Sequence, residues 1–171
     1  MELESYLLEK AYSYLARRDH SCFELAQKLK QSANRSKQWH DVGENLLETS
    51  IGQIIAYLQD KHLLDDAKFA RLWTESRLRN KPRGRFFIEQ ELNRKGVEKS
   101  IRRQVLDDVF AEPQVEMDLA MELARKKNSL ISESDPKKRK EKILRYLLNK
   151  GFGYQIAIQA FKEFDTKKNI C

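Results

Sequence analysis

An internal repeat is the feature of this sequence that most constrains its fold. Two segments carry apolar residues and a Lys-Gly pair in the same order, at a constant interval of 55 residues. The matching positions are Ile88 and Ile143, Leu92 and Leu147, Lys95-Gly96 and Lys150-Gly151, Ile101 and Ile156, and Val105 and Ala160. An interval held without a gap indicates a repeated structural unit whose neighbouring copies bury each other's apolar faces.

The spacing inside each segment is helical, because apolar residues recur every three or four positions. The same spacing occurs earlier in the chain, at Leu3, Leu7, Ala11, Leu25, Leu29, Leu47, Ile51, Ile54 and Leu58. Only 6 glycines and 3 prolines occur among 171 residues, which favours an all-α chain. We predict tandem three-helix repeats, about nine helices in all, forming an elongated curved array. The predicted repeats are 1–63, with a polar loop near 32–45, then 64–111 and 112–171.

Several helix ends are also marked in the sequence. The glycines of Lys95-Gly96 and Lys150-Gly151 are expected to adopt the left-handed conformation that ends a helix. Ser21, with Glu24 three residues later, has the form of a capping box. Asp135-Pro136 is typical of an N-cap followed by proline in the first helical position.

Composition limits the cellular setting and the chemistry. No apolar run approaches the roughly 20 residues that cross a bilayer, and the N-terminus lacks the basic start of a signal peptide. We therefore expect a cytoplasmic protein in which Cys22 and Cys171 are reduced thiols. His20, His40 and His62 lack zinc-site spacing, and there is no glycine-rich phosphate loop, so no metal or cofactor is expected.

One pair of carboxylates leaves an enzymatic interpretation open. Asp65-Asp66 could hold magnesium or share a proton, but the pair directly precedes a predicted helix near Ala67. Aspartate in that position caps free backbone N–H groups, and we favour this interpretation. The polar run from Arg18 to Ser21 is likewise interpreted as a turn between helices.

Three clusters of basic residues are the main candidates for binding a partner. They are Arg77, Arg79, Lys81, Arg83 and Arg85; Arg125, Lys126 and Lys127; and Lys137, Lys138, Arg139, Lys140 and Lys142. With a formal charge of +7, the chain favours an anionic partner. Taken singly, each cluster also has a structural explanation. Cations at helix C-termini interact favourably with the helix dipole and keep the surface hydrated.

The run from Lys137 to Lys142 differs because several of its cations lie in the first turn of a helix. There they oppose the dipole at a cost of roughly 0.3–1 kcal/mol per charge, which suggests an external anion such as phosphate or an acidic protein surface. Phe86 and Phe87 lie among the first cluster and could stack on bases. Ile88 beside them favours burial instead. Nothing resembles a base-reading helix, so any DNA binding should be nonspecific.

Three ordered motifs match a known family. They are Arg18-Asp19-His20-Ser21 with Glu24-Leu25 and Lys28-Leu29; Leu64-Asp65-Asp66 with Phe69-Ala70 and Arg77; and Ile88 with Glu91-Leu92 and Lys95-Gly96-Val97. Together they resemble the RecX family over residues 17 to 97, about half of the chain. The sequence departs from the family pattern in the polar stretch from Ser32 to Asn45 and around Pro82 and Phe86-Phe87.

The resemblance implies a non-catalytic regulator of the RecA recombinase in DNA repair and the SOS response. Such an array would lie in the helical groove of the RecA–DNA filament and restrain recombinase, ATPase and co-protease activities. It also implies nonspecific binding of single- and double-stranded DNA by the protein alone, and we expect a monomer. The alternative is a helical nucleic-acid-binding protein without a dedicated protein partner.

Overall fold

The structure is a computed structural model that describes residues 2–168, with side chains through Glu163. This part of the chain contains nine helices and no strand, so the predicted all-α fold is confirmed. The helices are α1 Leu3–Leu15, α2 Cys22–Arg35, α3 Glu44–Asp60, α4 Asp66–Asn80, α5 Arg85–Arg94, α6 Lys99–Val109, α7 Pro113–Ser129, α8 Pro136–Asn149 and α9 Tyr154–Lys168. None of the helices in this range is long and apolar enough to cross a membrane. Cys171 lies outside the described residues.

The first three helices pack pairwise around one apolar core. Leu7 of α1, Leu25 and Leu29 of α2, and Leu58 of α3 are fully buried. These residues belong to the helical faces that the sequence predicted. Fully burying such a side chain contributes roughly 1.5–3 kcal/mol, so this face accounts for much of the stability of the trio.

The predicted loop over 32–45 is too long, because α2 continues to Arg35. Ser32, the first polar residue of that stretch, is bonded to α1. The Tyr6 hydroxyl donates to the carbonyl of Ser32 at 3.1 Å, and the hydroxyls of Tyr14 and Ser32 lie 2.7 Å apart. A serine bonded in this way fits a helix interior, which composition alone does not reveal.

The remaining loop, residues 36–43, is anchored to the core. Trp39 and Val42 pack against the buried residues of the first trio. The ring of Trp39 lies 6.4 Å from the ring of Tyr6, within the range of favourable aromatic pairs. Two apolar side chains therefore anchor this mostly polar loop to the core of the first three helices.

The last three helices form a second core. Ile143 and Leu147 of α8 and Ala157 and Ala160 of α9 are fully buried, and Met117 of α7 packs with them. The small alanines let α9 approach its neighbours closely. The repeated positions Ile143 and Leu147 thus have the core role that the 55-residue interval predicted.

The chain divides into two compact units, and the middle three helices, α4 to α6, contribute to both. One comprises the chain up to Ala70 with Leu92–Arg102, and the other comprises Arg71–Glu91 with the chain from Arg103 onward. Lys and Arg counted against Asp and Glu give +1 for the first unit and +6 for the second, which together make the +7 of the chain. The positive charge is therefore concentrated in the second unit.

The predicted helix ends are largely confirmed. Gly96 and Gly151 have φ of 71° and 87°, the left-handed conformation that ends α5 and α8. The Asp135 side chain accepts from the backbone of Lys137 and Lys138 at the start of α8. Ser21 accepts from the backbone N–H of Glu24, which is one half of a capping box.

Candidate functional site

The start of α2 meets the end of α5 in a contact that we call the first junction. The Ser21 hydroxyl donates to the carbonyl of Lys95 at 2.5 Å. The Glu24 carboxylate pairs with the Lys95 ammonium at 2.7 Å and with the Arg18 guanidinium at 3.1 Å. A Cβ on Gly96 would overlap the side chain of Phe23, so the backbone of α5 lies directly against α2. The conformation that ends α5 also permits this approach.

The Glu24 carboxylate of the first junction is paired with both of the junction's cations. Burial alone would raise the pKa of Glu24, but hydrogen bonds from Arg18 and Lys95 lower it to about 2. The carboxylate is used for these two cations, and this explains why the second half of the capping box does not form. His20 is buried and bonds through Nδ1 to the carbonyl of Arg18, at 2.9 Å. The polar run from Arg18 to Ser21 is thus a structural turn, as predicted.

The two adjacent aspartates both hold backbone N–H groups. Asp65 accepts from the backbone of Ala67 at 2.8 Å and from Lys68 at 3.0 Å, and therefore caps α4 as predicted. Asp66 instead lies in the first turn of α4 and accepts from the backbone of Cys22 at 2.8 Å, at the start of α2. Burial and the charge of Asp66 raise the pKa of the Cys22 thiol to about 12. These contacts assign structural roles to both aspartates, and at neutral pH the thiol is a poor nucleophile.

The start of α5 meets the end of α8 in an equivalent contact, the second junction. The backbone N–H of Gly84 donates to the carbonyl of Lys150 at 2.9 Å. A Cβ on Gly84 would overlap the carbonyl of Gly151, and a Cβ on Gly151 would overlap Phe87. Glu116 of α7 accepts from the backbone of Arg85 at 3.0 Å. A Lys-Gly helix end thus receives the start of another helix at both junctions.

A shallow groove of about 260 Å³ lies next to the second junction, and we call it the Tyr146 groove. It is lined by Lys127, Lys142, Arg145, Tyr146 and Asn149, from α7 and α8. The ammonium groups of Lys127 and Lys150 lie 5.5 and 5.3 Å from the centroid of the Tyr146 ring. Two ammonium groups therefore converge on one aromatic ring, in the range of cation–π attraction.

The charge around this ring is not compensated as it is at the first junction. Lys150 makes no ion pair with any carboxylate among the side chains that the structure describes. Burial, followed by the nearby charge of Arg83, lowers the pKa of Lys150. The Arg83 guanidinium itself lies 5.3 Å from the ring centroid of Phe87. Like charges gathered in this way favour the binding of an anion.

Several cations predicted to contact a partner are already paired within the second unit. Arg77 binds Glu91 at 2.5 Å and lies 4.3 Å from the centroid of the Trp73 ring. The other ion pairs are Arg85 with Asp107, Lys126 with Glu122 at 2.6 Å, and Lys142 with Glu133 at 3.0 Å. Arg77 is largely buried by these contacts, which assigns it a structural role.

The remaining predicted cations have weaker contacts or none. Lys140 lies 5.8 Å from the centroid of the Phe161 ring, and Arg139 donates to the carbonyl of Asn128 at 3.5 Å. Arg79, Lys81, Arg125, Lys137 and Lys138 are exposed and make no ion pair with the described side chains. These five side chains and the Tyr146 groove all belong to the second unit.

The charge run at the start of α8 is partly compensated from within. The Asp135 carboxylate caps the helix, and Glu133 pairs with Lys142, which lowers the pKa of Glu133. Part of the expected repulsion with the helix dipole is therefore offset locally. Lys137, Lys138 and Lys140 are exposed and make no ion pair with the described side chains.

The predicted burial of Phe86 is wrong, since its side chain is 61% exposed. The buried face of α5 is set by Ile88, and Phe86, two residues earlier, lies on the opposite side of the helix. Phe87 packs against Gly151 and makes an edge-to-face contact with Phe86. An exposed aromatic ring thus stands near the start of α5, beside the second junction.

The sequence did not identify three residues of this site: Arg145, Tyr146 and Lys150. The repeat predicts Lys150 only as part of a helix end, and Arg145 lies outside the three basic clusters. A usable signal exists, because Lys95 has Glu24 as a partner, whereas the equivalent place before Ile88 is occupied by Phe87. The carboxylate that pairs with the repeated lysine at the first junction is therefore replaced by an aromatic residue at the second.

Two family models match the chain. One describes the second three-helix domain of RecX and matches residues 65–106, and the other describes the third three-helix domain and matches residues 114–161. A protein of Cronobacter sakazakii named "Regulatory protein RecX" is 35% identical over 164 residues, with 94% of this chain and 93% of the relative covered. A protein of that name from Prosthecochloris aestuarii is 30% identical, with 93% of each chain covered.

Other relatives are longer. A "Regulatory protein RecX" of Clostridium perfringens is 38% identical over 109 residues, and the match spans half of that relative, 50%. The crystal structure of RecX from Lactobacillus salivarius superimposes with a TM-score of 0.79 at 24% identity, with 96% of this chain and 97% of that chain covered. At that identity the superposition shows a shared fold.

Proposed function

Since this chain belongs to the RecX family, we propose that it regulates a RecA recombinase by binding the recombinase–DNA filament. The single observation that carries the proposal is the match to relatives named as regulatory proteins along nearly the whole chain, at 30 and 35% identity. We propose that the main effect is inhibition, with the protein lying in the filament groove. There it would restrain recombinase, ATPase and co-protease activities.

The distribution of charge supports contact with a nucleic-acid filament. The second unit carries +6 and contains all of the predicted contact cations. We propose that the exposed cations of this unit contact the filament or its DNA, namely Arg79, Lys81, Arg125, Lys137 and Lys138. Contacts of this kind neutralise phosphates without reading bases. The protein would act in the cytoplasm, as a monomer, during DNA repair.

The test is the rate of DNA-dependent ATP hydrolysis by the cognate recombinase, with this protein added below the recombinase concentration. We expect inhibition at such ratios, because a protein that docks in the filament groove acts on several subunits at once. A rate that stays constant until the added protein saturates the DNA would contradict the proposal.

A second candidate is a nucleic-acid-binding protein without a dedicated protein partner, and the Tyr146 groove favours it. Under this alternative, binding to naked DNA would account for the whole effect. Inhibition would then follow DNA occupancy and disappear with rising salt at the same rate as DNA binding. Inhibition that persists at a salt concentration where naked DNA is released would exclude it.

A charge-reversed variant examines one of the predicted surfaces. Lys137, Lys138 and Lys140 replaced by glutamate should weaken inhibition of the recombinase while leaving the helical content unchanged. The exposed Lys37 of the first unit, replaced in the same way, is the control. Unchanged inhibition by the triple variant would remove this surface from the proposal.

A further inference from the structure

At both junctions the start of one helix bonds to the carbonyl of a Lys-Gly lysine, but the side chain of that lysine has different surroundings. Lys95 and Lys150 occupy equivalent places in the Lys-Gly helix ends, 55 residues apart. The Lys95 ammonium pairs with Glu24 at 2.7 Å. Lys150 has no such partner among the described carboxylates and has Arg83 nearby. A half-buried cation with a like charge beside it is costly unless an anion binds there.

Several cations and an aromatic ring lie around Lys150 and form a shallow groove. Lys127, Lys142 and Arg145 line the Tyr146 groove from two helices. The Tyr146 ring attracts the ammonium groups of Lys127 and Lys150 and so orders two flexible side chains. Lys142 is partly neutralised by Glu133, whereas Lys127, Arg145 and Lys150 make no ion pair with the described side chains.

The exposed aromatic residues nearby indicate the kind of anion. Gly84 and Gly151 touch at the second junction, and Phe86 and Tyr154 lie within three residues of them along the chain. Phe86 is 61% exposed and Tyr154 is 62% exposed. Cations beside exposed aromatic rings are the combination that binds single-stranded nucleic acid, because the rings stack on unpaired bases. An acidic peptide would use the cations but not the rings.

We propose that the Tyr146 groove and the second junction bind the phosphates of a single nucleic-acid strand, with Lys127, Arg145 and Lys150 as the contacting cations. Tyr146 is a positioning residue that holds the two lysines toward the strand. The inference deepens the proposed function and rests on it for its setting, since a recombinase filament contains such a strand. Binding should not depend on base sequence.

The experiment measures the affinity of the intact chain for a fluorescently labelled oligothymidylate by anisotropy over a series of salt concentrations. Lys150→Gln should bind about tenfold more weakly at low salt, as expected for the loss of one hydrogen bond to a charged group. The slope of log K against log salt should fall by about 0.7 for each phosphate contact that is lost. Lys37→Gln, which removes the same charge from an exposed loop of the first unit, is the matched control.

Tyr146 is tested by a pair of variants. Tyr146→Phe keeps the ring and should retain the affinity, whereas Tyr146→Leu should lower it about as much as Lys150→Gln. Thermal unfolding of each variant verifies that the fold is retained. Equal losses in Tyr146→Phe and Tyr146→Leu would overturn the positioning role.

Two further outcomes would overturn the proposal as a whole. One is a Lys150→Gln variant that binds the oligonucleotide like Lys37→Gln. The other is a duplex of the same length that competes as well as the single strand, because the exposed rings would then contribute nothing. The ATPase titration tests the regulatory function independently of this site. If the wild-type chain inhibits the recombinase but Lys150→Gln binds the oligonucleotide as tightly as the wild type, the site is refuted and the regulatory function is retained.

Discussion

The first and second junctions both join the start of one helix to a Lys-Gly helix end, but they do so in opposite electrostatic surroundings. In both, the start of one helix bonds to the carbonyl of a Lys-Gly lysine, through Ser21 at the first junction and Gly84 at the second. Glu24 compensates Lys95 at the first junction. At the second, Arg83 adds a like charge near Lys150. A repeat can therefore keep its packing while one copy exchanges an internal ion pair for an external ligand.

The comparison also separates stability from binding. A compensated pair that is largely buried contributes to holding two helices together, since removal of one partner leaves the other unpaired. An uncompensated cation contributes nothing of that kind and mildly opposes folding. The first junction should therefore be sensitive to charge mutations in stability measurements, and the second in binding measurements.

The largest expected effect comes from a side chain added at the second junction, where two helices are in close contact. Gly84→Ala places a Cβ against the carbonyl of Gly151, and a backbone atom cannot move aside as a side chain can. We expect a loss of about 3 kcal/mol in the free energy of unfolding, at the upper end of overpacking costs. Gly153→Ala is the control because a Cβ there meets nothing. Denaturant unfolding measures both, and equal stabilities would contradict the described contact.

The next effect concerns the ion pair of the first junction and its pH dependence. Glu24→Gln should lower the free energy of unfolding by about 1.5–3 kcal/mol at neutral pH, the range for hydrogen bonds to charged groups. Because the pKa of Glu24 is lowered from 4.5 to about 2, its contribution is present above pH 4.5 and is lost as the pH falls toward 2. The stability difference between wild type and variant should shrink over that interval. A difference that stays constant between these pH values would disprove this role of the carboxylate.

A smaller effect distinguishes the two repeated lysines. Lys95→Gln should destabilise the chain by about 1 kcal/mol, because Glu24 keeps only Arg18 as a partner. Lys150→Gln removes a charge that has no described carboxylate partner, so the stability should stay the same or rise by up to about 0.5 kcal/mol. Thermal unfolding of the two variants in parallel measures the contrast. Equal destabilisation would show that Lys150 has an internal partner after all.

The smallest effect on stability is expected at Phe86. Phe86→Ser removes a ring that is 61% exposed, so the free energy of unfolding should change by about 0.5 kcal/mol or less. Its affinity for a single strand should fall by up to about tenfold, from the loss of one stacking contact. Anisotropy with labelled oligothymidylate measures this change. A strong destabilisation without any change in affinity would return Phe86 to the core role first predicted for it.

Much of the fold follows from the sequence because it depends on local periodicity. The helical faces that carry Leu25, Leu29, Ile143 and Leu147 could be identified from spacing alone. The end of α2 could not, since Ser32 is held in the helix by hydroxyl groups from α1. Tertiary contacts of this kind override the local preference of a polar stretch.

The candidate site was only partly predictable for a related reason. Clusters such as Arg125 to Lys127 are visible as runs of charge, but their ion pairs depend on which helices meet. The sequence predicts Arg77 as a contact residue, whereas in the structure it is packed against Glu91 and Trp73. Tyr146 carries no sequence signal, because Lys127 reaches its ring only through the packing of α7 against α8.

We propose that this chain recognises the recombinase filament and does not act through DNA affinity alone. The most direct test is co-sedimentation of the chain with preassembled recombinase filaments, at a salt concentration that releases it from naked single-stranded DNA. We predict that the chain still sediments with the filaments, because contacts to the recombinase add to those with phosphates. If the chain is released from the filaments at the same salt concentration that releases it from naked single-stranded DNA, the proposal is contradicted.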